Sequence, residues 1–360
     1  THPRTPGRLF AVGLDDGKLL GAYEIGVGPD DEKISPDGGN AVVANEAELC
    51  VWDAAAKRVR SEPGTIAVVD LAGGPGAARV TQIALPDLTG HAAVTQRTDV
   101  RFLERTMDRD GSGKIEGEGE VEVLVPLDAS PQHIEPEYAA YAPDGRRVYV
   151  TLQENNAVAV VDPIETRLVR VIGLGVTEHA ADLKEDGTID FSDTLRAFRE
   201  PDGIAVTPDG RYFVTADEGD TEPKASKTPA GRITGGGRTV SVFDTVTGKL
   251  VGDTGNQIDA AAAAAGVYPD RRSDSKGSEP EVPAAFEVDG TAYVAVSLER
   301  ANALALVSLA TPAAPRVLGV FPLGETSIAP EGVAIYERAG RIFVLSANEV
   351  SGDVSVFEVR

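Results

Sequence analysis

Apolar and polar positions along the chain fall into short strand-like runs, and one arrangement of them is written five times. In its fullest copy, Glu135-Pro136-Glu137-Tyr138 opens an apolar run, Pro143-Asp144-Gly145 turns it, Val148 to Leu152 returns, and Glu154 closes. Return runs such as Tyr212-Phe213-Val214 and Ile342-Phe343-Val344 carry the β-branched and aromatic residues that suit a pleated surface. The other copies open at Gly28-Pro29-Asp30, Glu200-Pro201-Asp202, Glu279-Pro280-Glu281 and Ala329-Pro330-Glu331, and close at Glu46, Glu218, Glu299 and Glu349. Between proline and closing glutamate lie 17 (Pro29 to Glu46) to 19 (Pro330 to Glu349) positions, a regularity that outranks any local reading. A third strand follows each copy: Thr65 to Asp70, Ala157 to Asp162, Thr239 to Asp244, Ala303 to Ser308 and Asp353 to Glu358. A fourth follows in most, such as Leu168 to Ile172 and Arg316 to Phe321.

Four antiparallel strands in a repeat of about 50 residues describe an all-β fold, the β-propeller. Five blades are legible; six or seven stay open, because residues 90–130 have room for another. The last copy stops after its third strand, and Lys18 to Ile25 reads as the missing fourth, which would close the ring and remove an exposed edge. Helix is scarce. Phe191 to Phe198 is one short candidate, capped by Ser192, and the alanine run Asp259 to Gly266 is another.

This organisation makes residues 1–360 a single domain with insertions at about 47–64, 83–132, 176–199, 219–238 and 252–278. In a four-stranded blade the loop entering strand one and the loop leaving strand two emerge on the same face. All five insertions fall in those two loop types, whereas the Pro-Asp-Gly turns on the other face are tight. One decorated mouth is therefore expected, ringed by Asp30, Glu46, Glu135, Glu137, Glu154, Glu200, Asp202, Glu218, Glu279, Glu281, Glu299, Glu331 and Glu349. Like charges that close need cations, basic side chains or backbone N–H groups between them. Each carboxylate is read either as a blade-entry device bonding its neighbour's backbone or as a ligand for a cation.

Charge sharpens this picture. The net charge of −23 repels nucleic acid and anionic membrane surfaces and makes cations and basic partners the natural counterparts; the expected partner is a cation or a cationic or phosphorylated small ligand. Cys50 is the only cysteine, so no intrachain disulfide forms, and no apolar run is long enough to span a membrane. The opening Thr1-His2-Pro3 reads as a mature or trimmed start, and low lysine with abundant alanine, glycine and arginine fits a secreted bacterial protein.

Two insertions carry a second acidic pattern. Asp108, Asp110, Ser112 and Glu116 take positions 1, 3, 5 and 9 of an EF-hand-like loop, with Gly113 at the sharp bend of position 6; position 12 is Gly119. Asp182, Asp186, Asp190 and Asp193 take positions 1, 5, 9 and 12 of another, with Lys184 at position 3. Both are candidate calcium loops; the plain alternative is a solvated acidic loop. Hydrolase chemistry is thin. His2, His91, His133 and His179 make no zinc-spaced pair, Gly235-Gly236-Gly237 lacks the strand-to-helix context of a phosphate loop, and Gly-x-Ser-x-Gly is absent. Lys276-Gly277-Ser278-Glu279 reads as a turn before a first strand.

The wording Glu135-Pro136-Glu137-Tyr138 through Leu152-Gln153-Glu154-Asn155-Asn156 to Asp162 resembles the choice-of-anchor I domain, whose relatives include mesenchyme-specific cell-surface glycoproteins and bacterial proteins labelled alkaline phosphatase-like. Arg199 to Asp202, Thr215 to Asp220, Gly277 to Glu281, Asp186 to Asp190 and Ala347 to Gly352 are similar to it as well, while the 92–128 insertion is not expected from it. The resemblance implies a secreted, periplasmic or cell-surface propeller. Together with the acidic mouth it leads to a calcium-binding module that binds ligands or associates with surfaces. The alternative is a calcium-dependent phosphoesterase, alkaline phosphatase-like or phytase-like, in which the same ion binds phosphate and activates water. No catalytic residue is assigned.

Overall fold

The computed structural model describes residues 5–47, 50–53, 58–61, 64–86, 88, 99–103, 122–126, 134–218 and 233–359. Strands β1 (Arg8–Val12) and β2 (Leu19–Glu24) form a ribbon. β3 (Pro29–Ile34) and β4 (Asn40–Asn45) begin the first large sheet; a ribbon of β5 (Cys50–Asp53) and β6 (Arg58–Ser61) interrupts it, and β7 (Thr65–Asp70) and β8 (Arg79–Ala84) complete it. A ribbon of β9 (Asp99–Leu103) and β10 (Glu122–Pro126) leads to the second sheet, β11 (Pro136–Tyr141), β12 (Val148–Leu152), β13 (Ala157–Asp162) and β14 (Arg167–Gly173). Another ribbon, β15 (Val176–Ala181) with β16 (Asp193–Phe198), precedes the third sheet, β17 (Pro201–Val206), β18 (Tyr212–Asp217), β19 (Thr239–Asp244) and β20 (Leu250–Asp253). Helix α1 (Gln257–Ala264) follows. The fourth sheet is β21 (Pro280–Val288), β22 (Thr291–Leu298), β23 (Ala303–Ser308) and β24 (Arg316–Pro322), and the fifth is β25 (Pro330–Arg338), β26 (Arg341–Asn348) and β27 (Asp353–Val359).

All five sheets are antiparallel meanders, and their first strands pack in series, β3 on β11, β11 on β17, β17 on β21, β21 on β25. That is the inner-strand arrangement of a β-propeller. Apolar layers fill the gaps between successive sheets. Val42, Val68 and Ile83 meet Val150 and Val161. Tyr149 and Val160 meet Phe213 and Phe243, whose rings stack 5.0 Å apart. Val214 and Val242 meet Val294 and Val307, and Phe286 with Leu304 meets Val333 and Phe357. A sheet covered on both faces needs apolar residues on both, so β12 and β13 are buried at every position.

Two expectations are corrected. Lys18 to Ile25 does not complete the last sheet: β2 pairs with β1, and β27 is the outer strand of a three-stranded sheet. The local hairpin closes a short loop cheaply, and Leu9, Tyr23 and Ile25 cover the open face of the first sheet against Val43 and Val69. Phe191 to Phe198 is not helical. Leu195 and Ala197 are buried while Thr194 and Arg196 face outward, a period of two that fits β16. Among the described residues, 90–130 holds the ribbon β9–β10 rather than a further four-stranded blade. The alanine run does form α1, beginning at Gln257.

Candidate functional site

The repeated x-Pro-acid wording is a backbone device. Each proline is the first residue of its sheet, where it forfeits no ladder hydrogen bond. The residue before it is left-handed in four copies: Gly28 (φ 58°), Glu200 (49°), Glu279 (59°) and Ala329 (60°). A bulge follows directly, between Pro29 and Glu32, Pro136 and Ala139, Pro201 and Ile204, Pro280 and Pro283, and Pro330 and Gly332. Bulges re-aim side chains, and here the re-aimed residue is the acid: Asp30, Glu137, Asp202, Glu281 or Glu331. Thr151 and Ser297 steady two of the bulges by accepting the Tyr138 and Val282 N–H groups at 2.9 Å. The closing glutamate is pinned beside its own entry, since the Glu46, Glu299 and Glu349 N–H groups bond the Gly28, Glu279 and Ala329 carbonyls.

The result is a run of touching carboxyl groups across three sheets. Glu137 bonds Asp202, Asp202 bonds Glu281, Glu281 bonds Glu299, and Glu299 bonds Glu279. Burial, followed by the Glu46 charge, holds Glu137 well above the usual carboxylate range. Asp202 and Glu281 are raised well above theirs, first by burial and then by their acidic neighbours. In the fifth sheet Glu331 contacts Glu349 and is pushed up to about 7, by burial first and Glu349 second. Glu331 and Glu137 both sense Asp30, so acids of the first, second and fifth sheets share one field.

At the end of this run, Glu279 and Glu281 meet Glu218, and the three bring ligand atoms within 4.8 Å of one another, the one group of three or more metal-ligating side chains that does so among the described residues. All three are buried, Glu279 to 1% exposure. Lys276 lies between Glu218 and Glu279, 2.8 Å from Glu279 Oε1, and Arg300 Nε is 2.5 Å from Glu279 Oε2. The Gln153 amide donates to Glu218 Oε2. Three carboxylates this close could hold a metal ion, offering it the hard oxygen ligands that cations such as Ca²⁺ and Mg²⁺ take.

The remaining mouth candidates spread around this centre. Glu135 and Glu200 are buried, and Glu200 Oε2 accepts the Gly236 N–H at 3.1 Å, giving that glycine-rich segment a structural use. Glu46, Glu154, Glu299 and Glu331 are half-buried; Asp30 and Glu349 are exposed. In the 182–193 loop the four acids do not converge: Lys184 pairs with Asp193 at 2.7 Å, Ser192 donates to Asp190, and Asp186 accepts the Thr188 N–H. Asp108, Asp110, Ser112 and Glu116 lie outside the described residues. His179 bonds the carbonyls of Ala180 and Gly237. Sequence reasoning missed Arg300 and Gln153 and read Lys276 only as part of a turn. One signal was available: Arg300 is the sole basic residue directly after a closing glutamate.

Comparison with known proteins gives one family. The choice-of-anchor I domain model matches residues 6–235 and 223–312. That range includes the 92–128 insertion and stops short of Ala347 to Gly352. No curated protein matches the chain. Among solved structures, the periplasmic gluconolactonase PpgL of Pseudomonas aeruginosa is similar at 14% identity and a TM-score of 0.46, over 99% of this chain and 79% of that one. Hydrazine synthase of Kuenenia stuttgartiensis is similar at 15% and 0.43, over 98% and 89%, and a nidogen/laminin complex at 11% and 0.40, over 99% and 92%.

Proposed function

This chain belongs to the choice-of-anchor I domain family, and on that premise we propose that it is a calcium-dependent binding module working outside the cytoplasm. Glu218, Glu279 and Glu281 hold the ion, and its outward faces take an anionic or phosphorylated small ligand. The observation that carries this reading is the convergence of three buried carboxylates within 4.8 Å. Such charges repel unless a cation lies among them. Lys276 supplies part of that charge, and an incoming divalent ion displaces it toward the ligand. Melting with Ca²⁺ and with chelator tests the reading, since a ligand of the native state must stabilise it. Wild type is expected to gain more stability with Ca²⁺ than Glu279→Gln does; equal gains in both sink the assignment.

The calcium-dependent phosphoesterase is favoured by one further observation. Asp202, raised well above the usual carboxylate range by burial, bonds Glu281 and so stands beside the triad where a general acid for a leaving group would. Turnover of a chromogenic phosphomonoester that requires Ca²⁺ and is lost in Glu218→Gln would turn the binding module into an enzyme.

A further inference from the structure

Four of the five large sheets have four strands. The fifth ends at its third, β27, and among the described residues no strand pairs with the outer edge of β27. That edge is regular. β27 runs beside β26 without a register shift, and Asp353 to Val359 contains no proline or lysine, residues that blunt exposed edges.

The fourth sheet is left open at the same place. Ile83, Ile172 and Phe321 lie opposite the second residue of a third strand: Ile66, Val158 and Leu304 respectively. Residues directly opposite on paired strands share a face. Ile66, Val158 and Leu304 each pack toward the next sheet, so Ile83, Ile172 and Phe321 turn that way too. Ile83 and Ile172 are closed to 6% and 7% exposure, whereas Phe321 is 45% exposed. Leu168 and Val171 of β14, the fourth strand of the second sheet, pack in the cluster that holds Ile83. The fifth sheet brings no such strand over Phe321. On the face of β27 turned away from the fourth sheet, Val354 and Val356 are exposed as well.

Charge states what the added strand should carry. The sixth residue of a third strand is Asp70 in the first sheet and Asp162 in the second, and each faces an arginine that opens the fourth strand, Arg79 and Arg167. Asp162 takes Arg147 from beside its second strand at 2.9 Å and Arg167 from its fourth at 3.8 Å. Glu358 is the sixth residue of β27 and takes Arg341 from its second strand at 2.7 Å. A basic residue opening an added strand falls opposite Glu358 in the same way. The occupant is not a second copy offering its own β27, whose only charged residues from Asp353 to Val359 are those two acids. Nor is it β2, which is paired with β1 against the first sheet. A chain of net charge −23 favours a partner with basic residues.

We propose that the β27 edge docks one extended segment of a partner protein, added antiparallel as the fourth strand of the fifth sheet. Its leading residue is basic and faces Glu358, and apolar residues at alternate positions lie over Phe321. Strand addition of this kind takes affinity from main-chain hydrogen bonds and specificity from alternate side chains. It uses none of the triad residues.

The probe is a fluorescently labelled synthetic peptide with the β14 sequence, Arg167–Gly173, read by anisotropy against the full chain. Saturable binding is expected, and its absence overturns the proposal. Two N-methylated forms, blocked at alternate amides, separate strand addition from apolar adhesion, because only one edge of an added strand faces β27. One form should bind about tenfold more weakly than the other, and equal binding by the two overturns the proposal. Phe321→Ala should weaken binding about tenfold. Exchanging the peptide's leading arginine for glutamate should weaken it about two- to fivefold, and Glu358→Lys should restore it. Indifference to all three exchanges refutes the docking site. The N-methylated pair acts on the unaltered chain and decides the matter if a variant misfolds. Sedimentation of the chain alone tests the other occupant: self-association that the peptide displaces puts a second copy on β27 and overturns the partner.

Discussion

Lys276→Met is the perturbation that separates a metal centre from a permanent ion-pair network. The substitution keeps an apolar stem and removes the ammonium that lies between Glu218 and Glu279. Breaking a buried ion pair costs about 3–5 kcal/mol. Glu279 keeps Arg300, and Glu218 keeps the Gln153 amide, so the low end, about 3 kcal/mol, applies. With an unfolding entropy of about 2.1 cal/mol/K per residue over 360 residues, the variant should melt about 4 °C below wild type in chelator. Calcium changes the comparison. An ion at a hundred times its Kd adds about 2.7 kcal/mol. In wild type it must first displace Lys276; in the variant it meets no competitor. With saturating Ca²⁺ neither protein retains the lysine pair, and the two melting temperatures should agree within about 1 °C. Scanning calorimetry of both proteins across a calcium titration reads this directly. A gap of the same size in calcium and in chelator would refute the reasoning, because Lys276 would then be the lasting partner of these carboxylates.

Two further outcomes follow from the electrostatics. Glu331 titrates near 7 in the folded state against an ordinary 4.5, so its contribution is fully present below about 4.5 and is lost as pH rises through about 7; melting temperature in chelator should fall between pH 5 and pH 8, calcium should flatten the fall, and a rise over that interval would contradict it. Asp162, Asp244 and Asp353 do not mask the effect, since they are held below 3.8 and titrate outside that window. Arg199→Met removes a guanidinium, 1% exposed, that pairs with Asp253 at 2.8 Å and Asp217 at 3.5 Å. A loss of about 4 kcal/mol is expected, roughly 5 °C, equal with calcium and with chelator; a loss confined to chelator would tie Arg199 to the ion.

The repeat made the blades legible because its period is set by local chemistry. Pro-Asp-Gly turns and β-branched return strands are read residue by residue, and third strands such as Ala157–Asp162 fall where the sequence puts them. Closure was not legible. Leu19 to Glu24 is equally good as an edge strand for β27 or as a partner for β1, and only the apolar face of the first sheet decides between them. The acids were legible as a set but not as a geometry. Their convergence depends on bulges after each proline, which no single residue announces. The cations that meet them come from elsewhere: Lys276 from the segment entering the fourth sheet and Arg300 from beyond a closing glutamate.

Backbone strain argues that the centre is more than an entry device. A left-handed residue before proline is met without side-chain penalty by glycine, and Gly28 does so in the first copy. Glu200 and Glu279 hold the same conformation with a side chain, at a strain on the order of 1–3 kcal/mol each. Entry geometry alone would be better served by glycine at both positions. Glu200 returns part of the strain by bonding the Gly236 N–H. Glu279 instead reaches into a space shared with Glu218 and Glu281, where every added carboxylate is unfavourable by itself. A residue strained in backbone and repelled in side chain is compensated by whatever positive charge it gathers. Among the described residues Lys276 and Arg300 supply that charge, and Lys276, poised between two acids, is the one the proposed ion would replace.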